Sequence, residues 1–273
     1  MKVFISVDME GVTGVCREAQ TSPGTAEYEG AARLLRADLD AALAGCRDAG
    51  VAEIVVADAH EEASNLDVEG LPDGVQLASG TPTTTSMLHG LDESFDAALF
   101  LGYHAMAGTS AAVLDHTYTY DVFRVRVDEY LEVGEIGLNA GLAGCFGVPV
   151  VFVSGDSATA TEAEEVLPGV RTAVVKHGTG RTSARLLSPH VTGPLIREGV
   201  SGALRAASRP DTLDFGGLPL RITFTSSRRC DMAALCFGVE RLDARSVQIP
   251  GGDFRHTFRA FLACLQLAGT AGH

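Results

Sequence analysis

Uninterrupted apolar runs recur along the first two-thirds of the chain. They sit in "KVFISVD" (2–8), "VAEIVVAD" (51–58), "FDAALFLGYH" (95–104), "VPVVFVSGD" (148–156) and "VRTAVVKHG" (170–178). A strand with one wet face alternates apolar and polar residues, whereas a strand apolar on both faces has to be covered on both. Between these runs lie stretches with apolar residues at helical spacing. "EYEGAARLLRADLDAALAGCRDAG" is the longest and stops at Gly50, a natural helix terminator; "GEIGLNAGLAGCFG" and "ATEAEEVLP" are shorter. Buried strands alternating with helices specify an α/β fold, a mostly parallel sheet with helices on both faces. "VQLAS" offers one further short strand.

The rhythm changes near residue 188. Ser188 and Pro189 read as a cap and a first-turn proline, opening a helix that runs to about Ala207. "LPLRITFTS" and "ARSVQIP" then read as strands, and "CDMAALCFG" and "DFRHTFRAFLACLQLAG" as helices. Two units are expected: an α/β unit over 1–188 and a smaller α+β unit over 189–273. Phe254, Phe258, Phe261 and Leu262 form an apolar stripe on the last helix, which reads first as core.

Composition narrows the partners. A net charge of −14 argues against a nucleic-acid binder, which needs a basic face for phosphates. No apolar stretch reaches the roughly 18 residues of a membrane helix. The opening run meets Asp8 too early for a signal-peptide core. Six cysteines without a C-x-x-C pair argue against a disulfide scaffold, and a cytoplasmic location is expected. Only Lys2 and Lys176 are lysines among 21 basic residues.

Chemistry concentrates where the apolar runs end. "VFISVDME" ends in Asp8 and Glu10, "EIVVADAH" in Asp58 and His60, and "ALFLGYH" in His104. Residues i and i+2 of an extended chain point the same way, so Asp8 and Glu10 aim at one place. Ligands of open α/β sheets bind beyond the carboxyl ends of the strands. Carboxylates and imidazoles meeting there are the donor set of a hydrolytic zinc site, and paired acids can bridge two metals about 3.5–4 Å apart. Glu135 and His116 are further candidates. Taken singly, each has a plain alternative. Glu10 can pair with Arg17, Asp58 can cap the next segment, and a lone histidine is more often hydrogen-bonded than ligating. From spacing alone, Glu135 is better read as a favourable charge at a helix N-terminus. The other histidines, His89, His177, His190, His256 and His273, read as surface or core residues.

A phosphatase of the haloacid dehalogenase type is the competing reading. "VDMEGVT" approaches its Asp-x-Asp-Gly-x-Thr motif and "SGDSATATEAE" its later acidic motif. That chemistry needs a lysine between the two, and residues 14–154 contain none. It also leaves His60 and His104 without a role. A non-catalytic metal-binding α/β protein would use the same ligands.

The sequence resembles the D-aminopeptidases of peptidase family M55 over nearly its whole length. The resemblance rests on "SVDMEG" (6–11), "DAH" (58–60), "ALFLGYHAMAGT" (98–109), "HTY" (116–118), "VGEIGLNA" (133–140) and "VSGD" (153–156), with 175–189 as a further family-like segment. It implies a zinc aminopeptidase releasing N-terminal D-amino acids from short peptides. It further implies two zinc ions per subunit held by Asp8, Glu10, His60, His104 and Glu135, a catalytic His116, and a homodecamer of two stacked five-membered rings. Glu135 thus becomes a ligand by resemblance. Two departures stand out: one extra residue between His104 and His116, and Asp115 where the family type has serine.

Overall fold

A computed structural model describes residues 1–80 and 84–271; His273 lies outside them. Its elements run, in chain order, β1 (Lys2–Val7), α1 (Ala26–Asp48), β2 (Glu53–Asp58), β3 (Val75–Ala78), β4 (Ala97–Leu101), β5 (Val122–Val127), β6 (Leu131–Glu132), α2 (Glu135–Gly144) and β7 (Val150–Asp156). There follow α3 (Ser157–Val166), β8 (Arg171–Gly180), β9 (Ser183–Leu186), α4 (Pro189–Arg205), β10 (Leu220–Phe224), α5 (Ser227–Ala233), β11 (Glu240–Arg241), β12 (Ser246–Ile249) and α6 (Phe254–Gly269).

Seven strands form the main sheet in the order β3-β2-β1-β4-β7-β8-β9. Every pairing is parallel except β8–β9. The mostly parallel α/β architecture expected from the apolar runs is present. Alternation explains those runs. Val3, Ile5 and Val7 enter one core, under α1 and α4, and Phe4 enters the other. The one fully buried polar residue of β1, Ser6, is satisfied: its hydroxyl meets the Met87 carbonyl and the Tyr103 hydroxyl, each at 2.8 Å. Helix α1 starts at Thr25, whose hydroxyl accepts from Tyr28 N–H, and buries Ala31, Leu35, Leu39, Ala42 and Cys46 along one face.

From β1 the chain builds outward through β2 to β3, then returns to place β4 on the other side of β1. The strand order reverses there. Such a reversal opens a crevice beyond the strand ends. Two glycines let the loops after β1 and β4 cross at contact distance. A Cβ on Gly11 would stand 1.8 Å from the Tyr103 carbonyl oxygen. Gly102 has φ +71°, and a Cβ there would stand 2.3 Å from the Asp8 oxygen. The loops are tied by Asp8 N–H to Leu101 O at 2.8 Å and Gly11 N–H to Gly102 O at 2.7 Å.

A second sheet, β11-β12-β10-β5-β6, is antiparallel. Its β5–β6 hairpin comes from 122–132, which the sequence reading left unassigned. "FRVRV" alternates, with Val125 and Val127 buried and Arg124 and Arg126 partly exposed. Ser188 caps α4, accepting from His190 N–H, with Pro189 at the first helical position. Helix α4 packs with α1 against the main sheet, while β5 and β6, earlier in the chain, join the second sheet. Phe254, Phe258 and Phe261 of α6 are core residues, as their spacing predicted.

Candidate metal centre and its cavity

The ends of β1, β2 and β4 bring Asp8, Glu10, His60 and His104 together, and the first turn of α2 adds Glu135. All five are buried, at 7% exposure or less. Nδ1 of His60 lies 3.3 Å from Asp8 Oδ1 and 3.2 Å from Glu10 Oε2. Nε2 of His104 lies 3.5 Å from Asp8 Oδ2 and 3.2 Å from Glu135 Oε1. The two oxygens of Asp8 therefore face two different imidazoles.

Backbone carbonyls fix which ring nitrogen carries the proton. His60 Nε2 is 2.8 Å from the Thr21 carbonyl, and His104 Nδ1 is 3.0 Å from that of Ala105. A carbonyl only accepts, so each of those nitrogens donates. In the neutral rings, the opposite nitrogens present lone pairs to carboxylate oxygens. Acceptor faces acceptor around a buried point. Among the described residues, Asp8 Oδ2, Glu10 Oε2 and His104 Nε2 have no hydrogen-bond partner. Such an arrangement suits a cation, with each histidine steadied through its far nitrogen. Asp8, Glu10 and His104 can present ligand atoms within 4.8 Å of one another, and so can His104, His116 and Glu135.

The proton affinities register the same strain. Burial and the charge of Glu10 push Asp8 up to about 7. Burial opposes ionisation of Glu10 and Glu135, but the neighbouring histidines outweigh it and hold both below the usual range. Burial lowers His60, yet Glu10 and Asp8 drive it up to about 12. Without a metal the cluster balances its charge with protons; a divalent cation would displace them.

His116 sits beside this group. Its ring stacks on His104 with centroids 4.1 Å apart, and its Nε2 is 3.7 Å from Glu135 Oε1. Nδ1 donates to the Leu114 carbonyl at 2.9 Å, so neutral His116 offers Nε2 as an acceptor. Burial and then the His104 charge lower its pKa, keeping it neutral at neutral pH. An open cavity of about 760 Å³ reaches Asp8, Glu10, His60, His116 and Glu135, with Met87 and Leu265 on its apolar wall.

Other candidates resolve into support. Asp58 accepts from Asn65 N–H, Asn65 Nδ2 and Leu66 N–H, capping the turn after His60, so it stands outside the cluster. Asp115 accepts from Gly108 N–H at 2.7 Å and pairs with Arg181 at 2.9 Å, clasping the loop before His116. Asp156 accepts from Val113 and Thr159 N–H and holds the same loop to α3. Two residues escaped the sequence reading. Glu162 accepts from Met106 N–H at 2.7 Å, and Gly134 leaves room for its other oxygen, bracing the segments that carry His104 and Glu135. Lys176 is buried completely, and burial pulls it down to about 8, still protonated at neutral pH. Its only sequence signal was being a lysine among arginines.

Comparison with known proteins finds relatives over nearly the whole chain. Residues 1–263 match the peptidase family M55, described as D-aminopeptidase. A D-aminopeptidase of Bacillus subtilis (strain 168) is 36% identical over 270 residues, 98% of either chain. A solved structure, described as the Zn-dependent D-aminopeptidase DppA from Bacillus subtilis, a self-compartmentalizing protease, superposes with a TM-score of 0.95. It is 35% identical, and the match covers 98% of both chains.

Proposed function

The chain belongs to the M55 family of D-aminopeptidases, and from that premise we propose that it is a zinc-dependent aminopeptidase releasing N-terminal D-amino acids from short peptides. One observation in the fold carries the reading: the buried side chains of Asp8, Glu10, His60, His104 and Glu135 converge beside an open cavity, and among the described residues Asp8 Oδ2, Glu10 Oε2 and His104 Nε2 find no hydrogen-bond partner.

Two zinc ions suit this donor set. Asp8, Glu10 and His60 would hold one; Asp8, His104 and Glu135 would hold the other, with Asp8 shared. When bound, zinc acts as a Lewis acid toward the scissile carbonyl and acidifies water. The protein's own groups do the rest. Thr21 and Ala105 carbonyls orient the two ligating rings, and Tyr118 N–H, 2.6 Å from Glu135 Oε1, orients that carboxylate. Neutral His116 takes the proton of the attacking water at Nε2, and the resulting imidazolium gives it to the leaving amine. The order matters: with Nδ1 committed to Leu114, His116 accepts first and donates second.

The phosphatase reading loses its remaining support. Lys176 spends its ammonium on three backbone carbonyls, leaving no lysine donor for a phosphoryl group. A metal-storage role would leave His116 and the cavity without purpose. Assaying the zinc-loaded protein side by side on D-Ala-D-Ala, L-Ala-L-Ala and a phosphate monoester tests the reading. Preferential hydrolysis of the D-dipeptide is expected, and hydrolysis of the ester alone would refute it.

The self-compartmentalizing description of the Bacillus relative supports an oligomer here, which we take as a decamer of two five-membered rings. A monomer in light scattering would refute that assembly. The location we propose is the cytoplasm, on six unpaired cysteines; among the described residues no helix is long and apolar enough to cross a membrane.

A further inference from the structure

The loop after β1 that carries Glu10 closes around a side chain from β8, three strands away in the sheet. Lys176 on β8 is 0% exposed. Its Nζ donates to the carbonyl oxygens of Glu10 at 2.5 Å, Val12 at 2.9 Å and Val15 at 2.6 Å. Three carbonyls converge on one nitrogen, and an ammonium has three hydrogens.

Composition makes this position stand out. The chain has 21 basic residues, and all but Lys2 and Lys176 are arginine. Lys2 is partly exposed, so the single buried lysine lies where the planar guanidinium fork would fail. Carbonyls meeting at a point need a point donor; a guanidinium spreads its donors across a plane.

The contact reaches the centre through one peptide. The carbonyl of the Glu10–Gly11 peptide is held by Lys176, and its N–H by Gly102 O at 2.7 Å. That plane is pinned at both ends. Gly11 packs so closely on Tyr103 that a Cβ there would stand 1.8 Å from its carbonyl oxygen. Asp8 is held independently, by its own N–H to Leu101 O and by β1. The two carboxylates of the opening motif thus have separate supports.

We infer that Lys176 is a positioning residue for the metal centre, fixing the backbone of Glu10 so that its carboxylate meets His60, while the Asp8–His104–Glu135 side is built without it. The inference rests on the two-zinc reading above. It makes the two metal positions unequal in their dependence on a residue that touches neither.

Competitive zinc titration against a chromophoric chelator tests it, on wild type, Lys176→Met, Lys176→Arg and Lys176→Gln. Circular dichroism and melting are recorded on each. The folded variants are expected to keep one zinc at wild-type affinity and weaken the other by about 10–100-fold, the usual range for a lost outer support. A cycle with Glu10→Ala separates positioning from general stability. If Lys176 acts through Glu10, adding Lys176→Gln to Glu10→Ala weakens zinc no further. Unchanged affinities at both sites, equal weakening of both, or additive losses in the cycle would overturn the inference, as would failure of every Lys176 variant to fold. Wild type binding one zinc would instead refute the two-zinc reading, and the cycle with Glu10 would still decide whether Lys176 acts through it.

Discussion

Nδ1 of His60 stands 3.3 Å from Oδ1 of Asp8, and with the neutral ring and ionised carboxylate that metal binding requires, neither atom carries a proton. The Thr21 carbonyl forces this by claiming the ring's only hydrogen at Nε2. His104 repeats the relationship with the other oxygen of Asp8, at 3.5 Å. With two imidazoles on opposite oxygens of its carboxylate, Asp8 is the residue that would serve both cations if two bind.

Asp8→Ala is therefore expected to cost both metals together. Elemental analysis of the purified variant would show zinc near zero per chain, with activity lost in parallel. Glu10→Ala should be milder, since it removes a ligand of one ion only. Full zinc in folded Asp8→Ala would remove the bridge from the account.

His116→Ala separates ligand from proton carrier. Its Nε2 is within reach of Glu135, so spacing alone allows either role. As a proton carrier it is dispensable for metal: the variant should keep its zinc and its fold and lose ~10²–10⁴-fold in kcat, with KM little changed. Loss of a zinc ion would make His116 a ligand instead. Wild-type turnover would move proton transfer elsewhere, for which the extra residue before His116 would be the obvious cause.

Much of this was legible because buried parallel strands leave so few options. The run 2–7 had to be central, and the acids after it had to sit at the sheet's carboxyl edge. Asp8, Glu10, His60 and His104 follow from that logic alone. Glu135 does not. It approaches from a helix start, where an acid is ordinary, and only the resemblance singled it out. The roles of Lys176 and Glu162 were illegible for a different reason. Their partners are backbone groups of distant loops, which carry no residue-type signal. The β5–β6 hairpin was missed because alternating arginines on a half-exposed sheet resemble loop polarity.

Asp38 provides a test of pH dependence away from the metals. It is buried on α1, accepting from Thr13 N–H and its hydroxyl, each at 2.9 Å, and burial raises it to about 6 from 3.8. The folded state thus holds this proton more tightly than the unfolded chain. Its favourable contribution is complete below the unfolded value, falls as pH rises from about 4 to about 6, and is gone above. Asparagine offers Thr13 one acceptor and one donor, so Asp38→Asn keeps the contacts without the charge. The metal-free variant should exceed metal-free wild type in stability at pH 7, by on the order of 2 kcal/mol, and the gap should close toward pH 4. A gap constant over that range would contradict the assignment.

Activity against zinc equivalents tests the central claim most directly. Metal-free protein is titrated with zinc, and D-Ala-D-Ala hydrolysis is followed at each addition. The account predicts no turnover without metal and a plateau at two equivalents per chain. A plateau at one equivalent, or hydrolysis that persists in excess chelator, would contradict it.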